Sequence, residues 1–120
     1  MKENVTILCY SKCSTCKKAE KWLKDKGIEY NYCPIKEENP SVEELREWIS
    51  KSGLLIKSFF NTSGILYREQ NIKEKIKTLS QEELLKILAS DGMMVKRPVL
   101  LIGDKIRIGF DEKKWEDVIK

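Results

Sequence analysis

The stretch Val5-Thr-Ile-Leu-Cys9-Tyr-Ser-Lys-Cys13-Ser-Thr-Cys16 decides how the chain is read. Its first five residues are apolar and β-branched at the start, which suits a buried strand. A lysine-bearing turn follows. From Cys16 to Lys26, Ala19, Trp22 and Leu23 fall at the 3–4 spacing of one helical face, and Gly27 is a natural stop. Ile28 to Cys33 reads as a second strand, ended by Pro34. Strand–helix–strand is the parallel unit of an α/β protein.

Cys13 and Cys16 therefore lie where the first strand gives way to the first helix. There the first cysteine is expected to face backbone N–H groups without helical partners and the positive end of the helix dipole. Both favour thiolate over thiol, so Cys13 is expected to have a lowered pKa and to be the nucleophile. Lys12 and Lys17 add positive potential nearby. Cys16, one helical turn deeper, is within reach to attack a mixed disulfide formed at Cys13. Cys9 and Cys33 fall in expected strands and read as small buried hydrophobes, inert in the core.

Several other chemistries are excluded. The chain has no histidine, which removes Cys–His pairs, Ser–His–Asp triads and mixed Cys/His zinc sites. Cys9-x3-Cys13-x2-Cys16 has the spacing of radical enzymes that hold an iron–sulfur cluster. Those enzymes need a large barrel of roughly 200 residues or more, and this chain has 120. A four-cysteine zinc site would have to recruit Cys9 and Cys33 out of core strands. Low-molecular-weight phosphatase-like loops carry an arginine six residues after the nucleophile, where this chain has Ala19. The net charge of +4 comes from dispersed lysines, a solvated surface rather than a nucleic-acid footprint. No apolar run reaches the roughly 20 residues of a membrane span. The opening apolar stretch is too short for the core of a signal peptide, so a cytoplasmic location is expected, where cysteines stay reduced and reactive.

Farther along, Ser41-Val-Glu-Glu44 is a capping box opening a helix to about Ser52, with Gly53 just past its end. Leu54 to Phe60 is expected to form a short helix and Asn61 to Gly64 a turn. Ser80-Gln-Glu-Glu83 opens another helix, with Leu84, Leu85, Ile87 and Leu88 on its face. Val99 to Ile102 and Lys105 to Ile108 form a hairpin through Gly103-Asp104. Asp111 then caps a last helix carrying Trp115, Val118 and Ile119. The order is βαβ, a helical block, then ββα. Arg97-Pro98 leads into the third strand. One reading is a cis-proline bend facing the cysteine loop, with Arg97 beside the Cys13 thiolate as a fork for an oxyanion. The other is a surface arginine before a trans proline. Spacing does not separate them.

With these residues in hand, the chain resembles the arsenate reductase/Spx family (ArsC-like, of the thioredoxin-fold superfamily) along essentially its whole length. The resemblance rests on Cys13-x-x-Cys16, Phe59-Phe-Asn-Thr-Ser-Gly64 followed by Leu66-Tyr-Arg68, Leu79-Ser-Gln-Glu-Glu83, Ala89-Ser-Asp-Gly92, and Lys96-Arg-Pro98 with Val99-Leu-Leu. It implies an α/β thioredoxin-like fold with a helical insertion between the second and third strands. The expected organisation is one domain over residues 1–120, with the core at about 1–35 and 95–120 and the insertion at about 36–94. It also implies that Pro98 is cis and that Arg97 is a site residue.

Family members known as arsenate reductases use one cysteine, matched by Cys13, and three arginines around the oxyanion. Arg97 matches one of these; the other two positions fall near Asn61 and Gly109. Cys16 is similar to the second cysteine of the regulatory branch, whose thiol pair is a redox switch and which binds the RNA polymerase alpha subunit. Gly53 falls about where that branch has a partner-contacting glycine, and equally where a helix C-terminus wants one. The expectation is a monomeric thiol–disulfide oxidoreductase with Cys13, Cys16 and Arg97 as catalytic residues and Lys12 and Pro98 in support. It would need no metal or organic cofactor and draw electrons from glutathione, glutaredoxin or thioredoxin. The alternatives are an Spx-type regulator and a glutaredoxin-dependent arsenate reductase.

Overall fold

The computed structural model describes residues 4–119. The chain divides into two compact units, Met1–Pro34 with Arg97–Lys120, and Ile35–Lys96. The first has the thioredoxin-like α/β fold expected from the sequence. Strands β1 (Val5–Cys9), β2 (Asn31–Pro34), β3 (Val99–Ile102) and β4 (Lys105–Ile108) form one mixed sheet in the order β2-β1-β3-β4. β2 runs parallel to β1, whereas β3 is antiparallel to both β1 and β4. Helix α1 (Ser14–Asp25) follows β1, and α6 (Glu112–Ile119) ends the unit.

Strand alternation decides which β1 side chains meet these helices. Ile7 and Cys9 point to one face, where they join Leu100 and Ile102 from β3, Cys16, Ala19, Trp22 and Leu23 from α1, and Trp115 and Val118 from α6 in a single apolar cluster. Trp115 is its anchor. It is fully buried, stands edge-on to Trp22 and Phe110 at centroid distances of 6.0 and 5.0 Å, and donates its indole N–H to the Gly109 carbonyl at 3.0 Å. Asp111 caps α6 in line with the sequence expectation, its Oδ1 accepting from the Lys113 and Lys114 N–H groups at 3.0 and 3.3 Å.

Two boundaries differ from the sequence reading. α1 begins at Ser14 rather than Cys16, because Cys13 takes the extended N-cap conformation and its carbonyl already accepts from the Lys17 N–H at 3.1 Å. Ser14 and Thr15 are polar and so are silent in an apolar periodicity. β2 starts at Asn31 rather than Ile28. The Gly27 and Ile28 N–H groups close α1 by bonding to the Lys24 and Leu23 carbonyls, both at 3.0 Å. That is a Schellman ending, and it spends Ile28 on the helix terminus instead of the sheet.

The second unit is helical: α2 (Val42–Ser52), a 3-10 turn at Ile56–Phe59, α3 (Ile65–Glu69), α4 (Ile72–Thr78), α5 (Gln81–Ser90) and a second 3-10 turn at Gly92–Met94. The capping box of α2 is formed, with reciprocal Ser41–Glu44 hydrogen bonds of 3.1 Å. Arg46 of α2 bonds both carboxylate oxygens of Glu82 on α5, at 2.8 and 2.6 Å. The helix expected over Leu54–Phe60 is only the first 3-10 turn. α3 and α4 have no strong signal in the sequence. They are short and separated by Asn71, whose φ of 52° breaks the helical run. At Gly92 the backbone passes so close to Ile35 that a Cβ would overlap its carbonyl oxygen. Among the described residues no helix is long and apolar enough to cross a membrane.

Candidate thiol site

β1 ends at Cys9, a tight turn closes with the Cys13 N–H bonded to the Tyr10 carbonyl at 3.0 Å, and α1 starts at once. This short return brings the end of the strand against the first turn of the helix. Cys9 and Cys16 belong to one buried cluster there, and Cys13 packs against it. All four cysteines are thiols rather than disulfides, and Cys33 lies elsewhere, on β2 in register with Leu8.

The three differ in access. Cys9 is 0% exposed and Cys16 1%, whereas Cys13 is half-buried with an open side. They also differ in polarity. The Cys16 thiol is lowered from 9.0 to about 6. The largest cause is the hydrogen bond from Cys9; the Tyr10 backbone N–H, the Cys13 side chain and the Arg97 charge act in the same direction, and burial opposes them. The Cys9 thiol is pushed far up, first by its hydrogen bond to Cys16 and then by burial, so it stays protonated and donates.

The capping contact expected of Cys13 is not made. From the sequence, Cys13 should face the open N–H groups of the helix and be the thiol with the lowered pKa. Cys13 is indeed the N-cap residue, but its side chain makes no capping hydrogen bond. The acidity of Cys16 is raised.

Arg97 reaches the site through sheet register. β3 pairs antiparallel with β1, with Val99 opposite Leu8, so the residues just before Val99 run past the end of β1 toward the cysteine loop. The Arg97–Pro98 bond is cis, Pro98 is buried, and its carbonyl accepts from the Gly109 N–H at 2.8 Å. The Arg97 guanidinium lies over the Tyr10 ring, 5.6 Å from its centroid, and its charge favours a thiolate at Cys16. Lys12 and Lys17 are exposed at the rim of the loop.

The two positions where the resemblance looks for further arginines have structural occupants. Gly109 has φ of 78°, a left-handed conformation in which any larger residue is strained, and it holds both Pro98 and Trp115 through its backbone. Asn61 belongs to the second unit, where its N–H bonds to the Met94 carbonyl at 2.8 Å and its carbonyl accepts from Gly64 at 3.1 Å. Gly53 ends α2 with φ of 72°, which by itself accounts for a glycine there.

Two participants escape the sequence reading, in which Cys9 is inert core and nothing marks Tyr10. A signal for Cys9 exists: Ile7 and Cys9 share the strand face that meets α1, and Cys16 is on the buried stripe of α1 with Ala19 and Leu23. Tyr10 acts through its backbone N–H, which no side-chain pattern announces. Among the described residues no group of three histidine, cysteine, aspartate or glutamate side chains is placed to hold a metal ion.

The comparisons with known proteins agree with this architecture. The sequence pattern of the ArsC family matches residues 8–118. The YusI protein of Bacillus subtilis (strain 168) is 50% identical over 114 residues, covering 95% of this chain and 97% of its own. The crystal structure of an ArsC family related protein from Bacteroides fragilis superposes with a TM-score of 0.93 at 42% identity, covering 98% of this chain and 99% of that one. The global transcriptional regulator Spx 2 of Bacillus anthracis is 26% identical over 110 residues, covering 92% of this chain and 82% of its own. With the match running nearly end to end and the same fold in a relative of known structure, the chain belongs to the ArsC family.

Proposed function

We propose that the chain is a thiol–disulfide oxidoreductase in which Cys13 is the nucleophile and Cys16 the resolving thiol. The observation that carries this reading is the difference in access between two cysteines three residues apart at the start of α1. Cys13 has an open side, while Cys16 is sealed from solvent. Only an accessible sulfur can meet an external disulfide, and only an internal one is protected from it.

The Cys13 thiolate attacks a substrate disulfide, forms a mixed disulfide and expels the other substrate sulfur as a thiolate. Cys16 then attacks the Cys13 sulfur, releases the remaining substrate thiolate and leaves a Cys13–Cys16 disulfide. The substrate gains two electrons and the pair loses two. External thiols such as glutathione, glutaredoxin or thioredoxin return them. Arg97, beside the loop, stabilises the anionic sulfur that each exchange produces. The test is direct. Cys13→Ser abolishes exchange, and Cys16→Ser accumulates the mixed adduct, visible by mass spectrometry. Full turnover by Cys13→Ser refutes the assignment.

The similarity to Spx 2 supports a second reading, in which oxidation of the same pair alters affinity for the RNA polymerase alpha subunit. A pull-down with that subunit, reduced against oxidised, decides it; no binding in either state removes the regulator.

A further inference from the structure

We propose that Tyr10 is a positioning residue for Arg97: the face of its ring holds the guanidinium at the cysteine loop, where an anionic sulfur forms on Cys13. The inference rests on the role proposed for Arg97 in the exchange reaction and adds the residue that keeps its side chain in place. Two features of the fold bring the pair together. The first is register. From Val5 opposite Ile102 to Leu8 opposite Val99, each step forward along β1 is a step back along β3. Two further steps reach Tyr10 and Arg97, so these residues fall opposite each other where the strands end. The second is the contact itself. The Arg97 guanidinium carbon lies over the Tyr10 ring, 5.6 Å from its centroid, inside the range of about 6 Å in which the ring quadrupole attracts a cation.

Tyr10 is also part of the loop that carries the nucleophile. Its carbonyl accepts from the Cys13 N–H at 3.0 Å and closes the turn before α1. Backbone and ring of one residue therefore give the sulfur and the guanidinium a common support. An arginine side chain has many rotamers to lose when its charge is placed, and stacking by one face confines it while leaving its in-plane N–H groups for an anion. No acidic group of the loop competes for that charge, since residues 4–19 include no aspartate or glutamate. Glu20, the next acid along α1, accepts from the Tyr30 hydroxyl at 2.8 Å. Lys12, Lys17 and Lys18 are exposed, whereas Tyr10 and Arg97 are both half-buried. The stacked guanidinium is thus the cation of the loop that the fold holds in a defined place.

The experiment reads the guanidinium through the charge of an attacking reagent. Reduced protein is alkylated with iodoacetate, an anion, or with neutral iodoacetamide, and modification of Cys13 is located and timed by tandem mass spectrometry. Both reagents need the thiolate, so the ratio of their rates cancels the extent of ionisation and reports the positive charge met on approach. Arg97→Gln gives the ratio without the guanidinium. In Tyr10→Leu the iodoacetate-to-iodoacetamide ratio is expected to fall about threefold, most of the way to the Arg97→Gln value. Tyr10→Phe keeps the ring face and should keep the wild-type ratio. In the Arg97→Gln background Tyr10→Leu should change nothing further, because Tyr10 acts through the arginine. A wild-type ratio in Arg97→Gln or in Tyr10→Leu overturns the inference, and so does an equal fall from Tyr10→Leu in both backgrounds. A lowered melting temperature with an unmoved ratio would show the ring to be packing only. Should Tyr10→Leu not fold, the wild type decides by NMR: ring current shifts the Arg97 side-chain protons upfield when they stack, and random-coil positions refute the contact. Alkylation needs neither a disulfide substrate nor turnover, so its failure is separate from failure of the catalytic reading, which the Cys13→Ser assay reports.

Discussion

Moving from about pH 8 to about pH 6 is expected to remove stability through Cys16. Folding lowers this thiol from 9.0 to about 6, so the folded state holds the anion over a range where the unfolded chain holds the proton. The contribution is complete above 9.0 and is lost as pH falls through about 6. Within that window stability changes by about 1.4 kcal/mol per pH unit, which gives about 2–3 kcal/mol between pH 6 and pH 8. Cys9 does not offset this, because a thiol pushed upward by folding is neutral in both states throughout the window. In urea the gain corresponds to a rise in midpoint of about 1–2 M. The assay is tryptophan-monitored urea unfolding with a phosphine reductant, comparing wild type with Cys16→Ser at each pH. Other groups titrate too, so the difference between the two profiles is the quantity that counts. Parallel profiles would refute the reasoning.

Gly92→Ala is expected to destabilise the second unit by about 4 kcal/mol or more, because the methyl has to displace backbone at Ile35 rather than a movable side chain. Thermal unfolding followed by circular dichroism checks this, and a near-wild-type melting temperature would contradict it. Trp115→Phe should cost about 2–4 kcal/mol, through the volume lost beside Trp22 and Phe110 and through a Gly109 carbonyl left without its donor. Equilibrium denaturation measures it, and a loss below about 1 kcal/mol would mean that the indole hydrogen bond is dispensable.

Most of the first unit is legible in the sequence, because its signals are local. β1, β3 and β4 lie where the apolar and alternating runs place them, and Asp111 caps α6 at the position its residue type suggests. The start of β2 is not legible, because Ile28 looks the same whether it pairs in a sheet or packs on a helix end; the hydrogen bond to Leu23 decides it, and a composition cannot show that. α3 and α4 are held by tertiary surroundings more than by their own pattern, since α4 buries only Ile72 and α3 buries nothing. At the site, spacing locates Cys13 and Cys16. Which sulfur is sealed from solvent depends on the path of the turn between β1 and α1, and that path is invisible in a motif.

The direction of the strands also governs how the chain could be shortened. β2 runs with β1 and β3 against it, so Pro34 and Arg97 lie at the same end of the sheet, one strand to either side of β1. Their separation is therefore about 10 Å, two interstrand spacings. A bridge of three or four residues is long enough for that gap, so a chain spliced from residue 34 to residue 97 would retain the three cysteines of the loop, the guanidinium and all four strands. In such a miniature the chemistry of the thiols could be measured apart from everything the excised segment contributes.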